Sequence, residues 1–470
     1  MEERLLSALR QRGFNAASTI GIAQKNELGP YLALPAARRF WLEEELDHTL
    51  GINILSCLIQ LPHSATIDEV NAGLSDLTQS LETLRTIFYW QDDNVVAEPL
   101  LSIQPTVVIT QHEENIRDHA IKNLQSLQIC APKPPWRVIA QVEDGYIKTI
   151  MFQTHHALMD WSAINIFISH LWDRLCNSNN SNHHAALSPS NANPSDAGRW
   201  WTKRQSDSDQ DANYWRKRLQ RLPQPPRLIA QSKAQKSTGV TTRSVLIPAD
   251  LRECIIAFAA KRQTTPFTLL LGLYGLTLQR FTGADCLTIG TTLSHREIPG
   301  AERIVGCLAD LAPLRLDLQN DPSLTIFLDR NRTALIQDLG HAQIGYERLK
   351  SAVSQDVAAP ESPLFNHLFG MISTDRELAT DIITPLPALT PRAEIALDIL
   401  DEGHQWVALF EFNLDYVQPA VADAFSDGFL SLATAALASP EIKNSSLSLM
   451  KFSSEEMGQN RWQKPVKTLQ

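Results

Sequence analysis

Two adjacent histidines and a spaced aspartate, in His155-His156-Ala157-Leu158-Met159-Asp160, are the residues of this chain best suited to chemistry. An imidazole near neutral pKa can accept a proton or hold a proton-bearing group by a hydrogen bond. A histidine pair in a globular protein is usually surface or satisfied core. The chain carries its own control in His183-His184, which has no aspartate four residues on and reads as solvated loop in an asparagine- and serine-rich stretch.

The elements around the first pair set it apart. Tyr146 to Thr154 is a mostly apolar run of β-formers. From Trp161 through Ile168, Leu171 and Trp172 the apolar period becomes helical. The reading is strand, sharp turn, helix, with Asp160 or Ser162 near the N-cap. Successive side chains on a strand point to opposite faces, so the two rings should not share one pocket. One can face a cavity while the other is held inside the protein.

Composition is that of a globular protein with a large core: 470 residues, 43% hydrophobic and 20% charged. A net charge of −10 disfavours nucleic acid as the main partner. Six scattered cysteines without a Cys-x-x-Cys read as buried free thiols in a reducing compartment. No run reads as a membrane span, and the Met-Glu-Glu-Arg start is unlike a signal peptide, so the expected location is cytoplasmic.

In order, Glu3 to Arg12 reads as a short amphipathic helix stopped by Gly13. A strand is expected near 52–61, a helix at 67–81, and strands at 105–110 and 136–154. The helix after Asp160 should end at Cys176, and 177–198 should form a loop or an interlobe connection. Tyr214 to Leu219 reads as a helix whose basic face is solvated. Beyond it come helices near 265–281, 322–338, 343–353 and 418–437, with strands near 286–290, 364–373 and 404–414. Both halves mix strands and helices of similar size, so two α/β lobes fit better than three domains.

The chain resembles a condensation domain of nonribosomal peptide synthetases, in the chloramphenicol-acetyltransferase-like superfamily. The resemblance covers about residues 30 to 455. His155-His156-Ala157-Leu158-Met159-Asp160 is similar to that family's His-His-x-x-x-Asp motif, and Glu82 to Phe88 to its Glu-x-Leu-Arg-Thr-x-Phe segment. Gly290-Thr291, His295-Arg296, Pro299-Gly300, Val305-Gly306, Pro313 to Asp317, His341 to Leu349 and Pro363-Leu364-Phe365 follow later family motifs in order. Three positions depart from the pattern: Trp161 and Gly345 replace an expected glycine and proline, and Asp310 an expected asparagine. The aspartate form of the motif also differs from the Asp-x-x-x-x-Asp of the heterocyclising variant.

The resemblance implies two lobes forming a V with a central tunnel: 29–200 with the motif and 201–455, preceded by a possible docking remnant at 1–28 and followed by a linker-like tail at 456–470. It implies amide formation between an acyl thioester on a phosphopantetheine arm and an amine acceptor. His156 is then the catalytic ring, with His155 and Asp160 structural. Asp160 should pair with an arginine, Arg85 first and Arg296 second, and Trp161 and Asp310 are candidates for the tunnel wall. The chain should bind no metal and no cofactor of its own. A carrier protein should bring the phosphopantetheine, since no Leu-Gly-Gly-x-Ser motif occurs here. The alternatives are an acyl-CoA-type or ester-forming acyltransferase of the same fold, and an inactive carrier-recruitment domain.

Overall fold

A computed structural model describes residues 21–449, apart from 26, 28, 47–50, 52, 106, 111–115, 123, 178–191, 206–208, 229–238, 354–362, 374–381, 387 and 389. The expected helix at 3–12, the pair His183-His184 and the tail from 453 lie outside the described residues.

The strands are β1 (Tyr31–Leu32), β2 (Ile54–Ala65), β3 (Thr86–Gln91), β4 (Asn94–Pro99), β5 (Val107–Thr110), β6 (Trp136–Glu143), β7 (Tyr146–His155), β8 (Val240–Ile247), β9 (Cys286–Leu293), β10 (Asp310–Asp317), β11 (His367–Ser373), β12 (Ile383–Pro385), β13 (Ile395–Asp401) and β14 (Trp406–Asn413). The helices are α1 (Pro35–Leu46), α2 (Ile67–Ser80), α3 (Ile116–Ala120), α4 (Trp161–Asn177), α5 (Pro194–Gln205), α6 (Asp209–Arg218), α7 (Ala249–Lys261), α8 (Pro266–Thr282), α9 (Leu324–Gly340), α10 (Tyr346–Val353) and α11 (Pro419–Ala438).

Two large mixed sheets carry the fold. The first has the order β12-β2-β7-β6-β5 and the second β10-β9-β11-β13-β14-β8; a small sheet β1-β4-β3 flanks the first. Local chemistry accounts for the element ends. Thr66 and Glu69 form a reciprocal capping box at α2. Thr265 caps α8 ahead of Pro266, and Gly283 closes it at φ 71°. The expected single run at 136–154 is a hairpin of β6 and β7, turned at Asp144 (φ 51°) and Gly145 (φ 83°). The loop expected through 198 ends earlier, because Pro194 sits at the first position of α5, where a missing N–H costs nothing. The basic end of α6 is also not merely solvated. Arg218 pairs at 2.7 Å with the fully buried Asp338, and Tyr214 donates to the same carboxylate.

Each large sheet has its own core. Phe152, Phe167, Ile150 and Val138 lie in the first, and Tyr274, Phe410, Phe425 and Phe429 in the second. The division by sequence is not clean. β12 follows β11 of the second sheet yet pairs with β2 of the first, Ile383 opposite Ile59. The sequence reading expected no run of membrane-spanning length, but among the described residues one helix, α11, is long and apolar enough by composition to span a bilayer. Its Phe425, Phe429, Leu432 and Ala436 pack in the second core, which accounts for that composition.

Candidate active site

β7 delivers the motif. The His155 amide bonds to Pro135 O and the His156 amide to Asn53 O, so backbone contacts fix both residues at the strand end. The chain then turns, with Leu158 N donating to His155 O. Of the two expected caps, Asp160 is the one used: its Oδ1 accepts from Ala163 N at 2.8 Å at the start of α4.

The two rings are separated as strand alternation requires. His155 is fully buried; its Nε2 lies 2.8 Å from Glu44 Oε1 and its Nδ1 accepts from Ala157 N at 2.9 Å. An accepting Nδ1 carries no proton, so the ring is neutral with its hydrogen on Nε2, pointing at Glu44. Glu44 also accepts from Ile129 N, tying α1 to the chain ahead of β6. His155 is thus fully engaged in holding structure.

His156 is partly exposed and stacks on Phe40, centroids 4.9 Å apart. Its Nδ1 lies 3.7 Å from Cys307 Sγ. Burial first, then the nearby Arg39 guanidinium, push its pKa down to about 4, against the opposing pull of Asp160. The ring is therefore unprotonated at neutral pH and able to accept a proton.

Asp160 joins the halves. Besides Ala163, its carboxylate accepts from Arg296 Nη2 at 2.9 Å and from Leu308 N and Ala309 N at 2.9 and 3.1 Å. Arg85, the first-ranked partner, is not the one used. Its Nη1 donates to Leu100 O, at the end of the β3–β4 hairpin that Arg85 itself precedes. Arg296 also gathers its own loop, donating to the carbonyls of Ile304 and Gly306. Nearby, Glu82 accepts from the amide and hydroxyl of Ser195, and Thr83 Oγ1 donates to Val305 O.

Neither tunnel-wall candidate stands free. Trp161 is half-buried and packs against the first core. Asp310 is buried; its carboxylate accepts from Tyr346 N at 2.9 Å and so caps α10 from β10. A small pocket adjoins the motif at Ala157 and Leu158, with Thr83, Phe88, Pro194 and Cys307 among its walls. Sequence reasoning missed Phe40, Glu44 and Cys307. The cysteine was visible as the residue after Val305-Gly306, but nothing local ties it to a ring so far away in the chain. Among the described residues no group of three His, Cys, Asp or Glu is placed to hold a metal ion.

The family profile for the condensation domain matches residues 28–457, and the chain belongs to that family. Among its relatives are phosphinothricin tripeptide synthetase PhsC of Streptomyces viridochromogenes, 22% identical over 88% of this chain, and cyclosporin synthetase simA of Tolypocladium inflatum, 22% identical over 84%. The chain spans 40% of the first protein and 3% of the second. Its fold is similar to the X-domain of teicoplanin biosynthesis in complex with OxyB, with a TM-score of 0.78 at 16% identity over 93% of this chain and all of that one. The condensation domain of the monacolin K polyketide synthase MokA gives 0.70 at 14%, over 89% of this chain and all of that domain. The mixed α/β fold is that of condensation domains, which work with carrier domains in nonribosomal peptide synthetases.

Proposed function

We propose that this chain forms an amide bond between an acyl group, carried as a thioester on a carrier protein, and an amine acceptor. The partner carrier brings the phosphopantetheine arm as part of the substrate. The attacking nitrogen forms the C–N bond and the C–S bond breaks. His156 takes the surplus proton from the amine, and the leaving thiolate receives it. The observation that supports this reading is the division of the motif: His155 and Asp160 have their polar atoms engaged within the protein, while His156 is neutral and partly exposed. Holding donor and acceptor together at one point supplies the rest of the acceleration.

The test is a carrier protein loaded with a defined acyl group, mixed with a panel of amines and read by mass spectrometry. Amide product is expected with the wild-type chain and little with His156→Ala. Undiminished turnover by His156→Ala would overturn the role of the ring. Equal turnover with acyl-CoA, or ester product from an alcohol, would move the chain to a different acyltransferase class.

A further inference from the structure

Cys307 comes from the second half of the chain, in the loop between Arg296 and β10, yet its sulfur lies 3.7 Å from His156 Nδ1. It is 1% exposed and packs in the first core. The sulfur has little freedom to drift. The next two amides, Leu308 N and Ala309 N, are both held by Asp160 Oδ2, and Phe40 closes one face of the imidazole. We propose that Cys307 is a positioning residue for His156: its sulfur sits behind the ring at Nδ1, favours the tautomer with hydrogen on Nδ1, and so leaves Nε2 as the bare, proton-accepting nitrogen. As a statement about catalysis this rests on the function proposed above.

The argument is one of hydrogen-bond direction. Burial and the nearby Asp160 carboxylate push the Cys307 thiol well above its ordinary pKa, so it keeps its proton. That S–H has an acceptor of its own in Ala309 O, 3.8 Å away. The sulfur lone pairs are then free to face Nδ1–H, and the bonds run one way: ring to sulfur, sulfur to carbonyl. The reverse order, sulfur to ring, would take the thiol hydrogen away from Ala309 O and place the ring hydrogen on Nε2.

The experiment uses the full chain as wild type, Cys307→Ala and Cys307→Ser, each with ¹⁵N-labelled histidine, and His156→Ala to assign the His156 ring signals. The wild type should show protonated Nδ1 and bare Nε2. Cys307→Ala should raise the Nε2–H population and lower kcat on the order of tenfold at unchanged KM. Cys307→Ser, which keeps an accepting and donating atom, should restore both readouts most of the way. If Cys307→Ala does not fold, Cys307→Val, which also lacks the sulfur, takes its place. A wild-type ring protonated on Nε2 overturns the proposal, as does a Cys307→Ala ring with an unchanged tautomer. The tautomer measurement needs no substrate. A chain that makes no amide yet shows the tautomer shift would therefore overturn the proposed function and leave the positioning role standing.

Discussion

The two large cores of this protein are built on different terms. The second draws on residues between Leu228 and Leu449 alone. The first, beneath the histidine motif, is made of residues 31 to 175 but also admits Val305, Cys307, Ile382 and Ile383 from the other half. Asp160 repeats the pattern in polar form, spending three of its four hydrogen bonds on Arg296, Leu308 and Ala309. The half that carries the histidine motif is therefore completed by the other, while the second core encloses itself. The geometry of the motif is a property of the junction.

The largest test of that asymmetry is Asp160→Ala. It strands the charge of Arg296 and the amides of Ala163, Leu308 and Ala309, at a cost of about 3–5 kcal/mol. Hydrogen exchange should show the loss in β2 and β7, with β13 and β14 little changed; equal weakening of both sheets would erase the contrast. Next, His156→Ala should cut amide formation roughly a hundredfold or more with little change in melting temperature. His155→Ala should do the opposite, lowering stability by about 2–3 kcal/mol, because the nearly buried Glu44 carboxylate loses its ring donor. Equal activity loss at normal stability in both variants would end the division between the rings. Trp161→Gly should cost about 2 kcal/mol through lost packing on the first core and leave the range of accepted amines unchanged. A widened acceptor range would place the ring at the substrate instead.

Acid sharpens the comparison. Burial holds His156, His170 and His367 at about 4, below the ordinary histidine value. Between pH 6.5 and 4 the unfolded chain therefore binds more protons than the folded one, and stability must fall as pH drops through that window. The melting temperature should decline below pH 6.5 and be flat above it as far as these rings decide. Two of the three lie in the first half, so its exchange protection should fail first. The smallest effect is expected from Ile383→Ala, which trims the half-buried contact of β12 with the first core at a cost of about 1 kcal/mol.

Local pattern made much of this legible. The helices expected at 67–81 and 265–281 run 67–80 and 266–282, because caps and apolar period are written in consecutive residues. The hairpin of β3 and β4 escaped notice, since its turn at Asp92 and Asp93 holds positive φ without a glycine to mark it. β8, α7 and β13 were not singled out either. The choice of Arg85 over Arg296 failed for a different reason. The pair that forms is 136 residues apart, and the Cys307–His156 contact 151. Periodicity reports how a segment meets its core and carries no information about which distant segment it meets.

The pairing of β12 with β2 has a consequence for synthesis on the ribosome. β2 runs from Ile54 to Ala65; its partner, Ile383–Pro385, emerges only after all the residues between them. Until then β2 has a bare edge along Cys57, Leu58 and Ile59, the kind of edge that recruits other strands. A nascent chain paused between the halves would thus hold a nearly complete first sheet with one sticky side, and folding would wait on a contact of very long loop closure. The same holds for gene fusions: a junction placed between the two halves removes the strand that covers that edge.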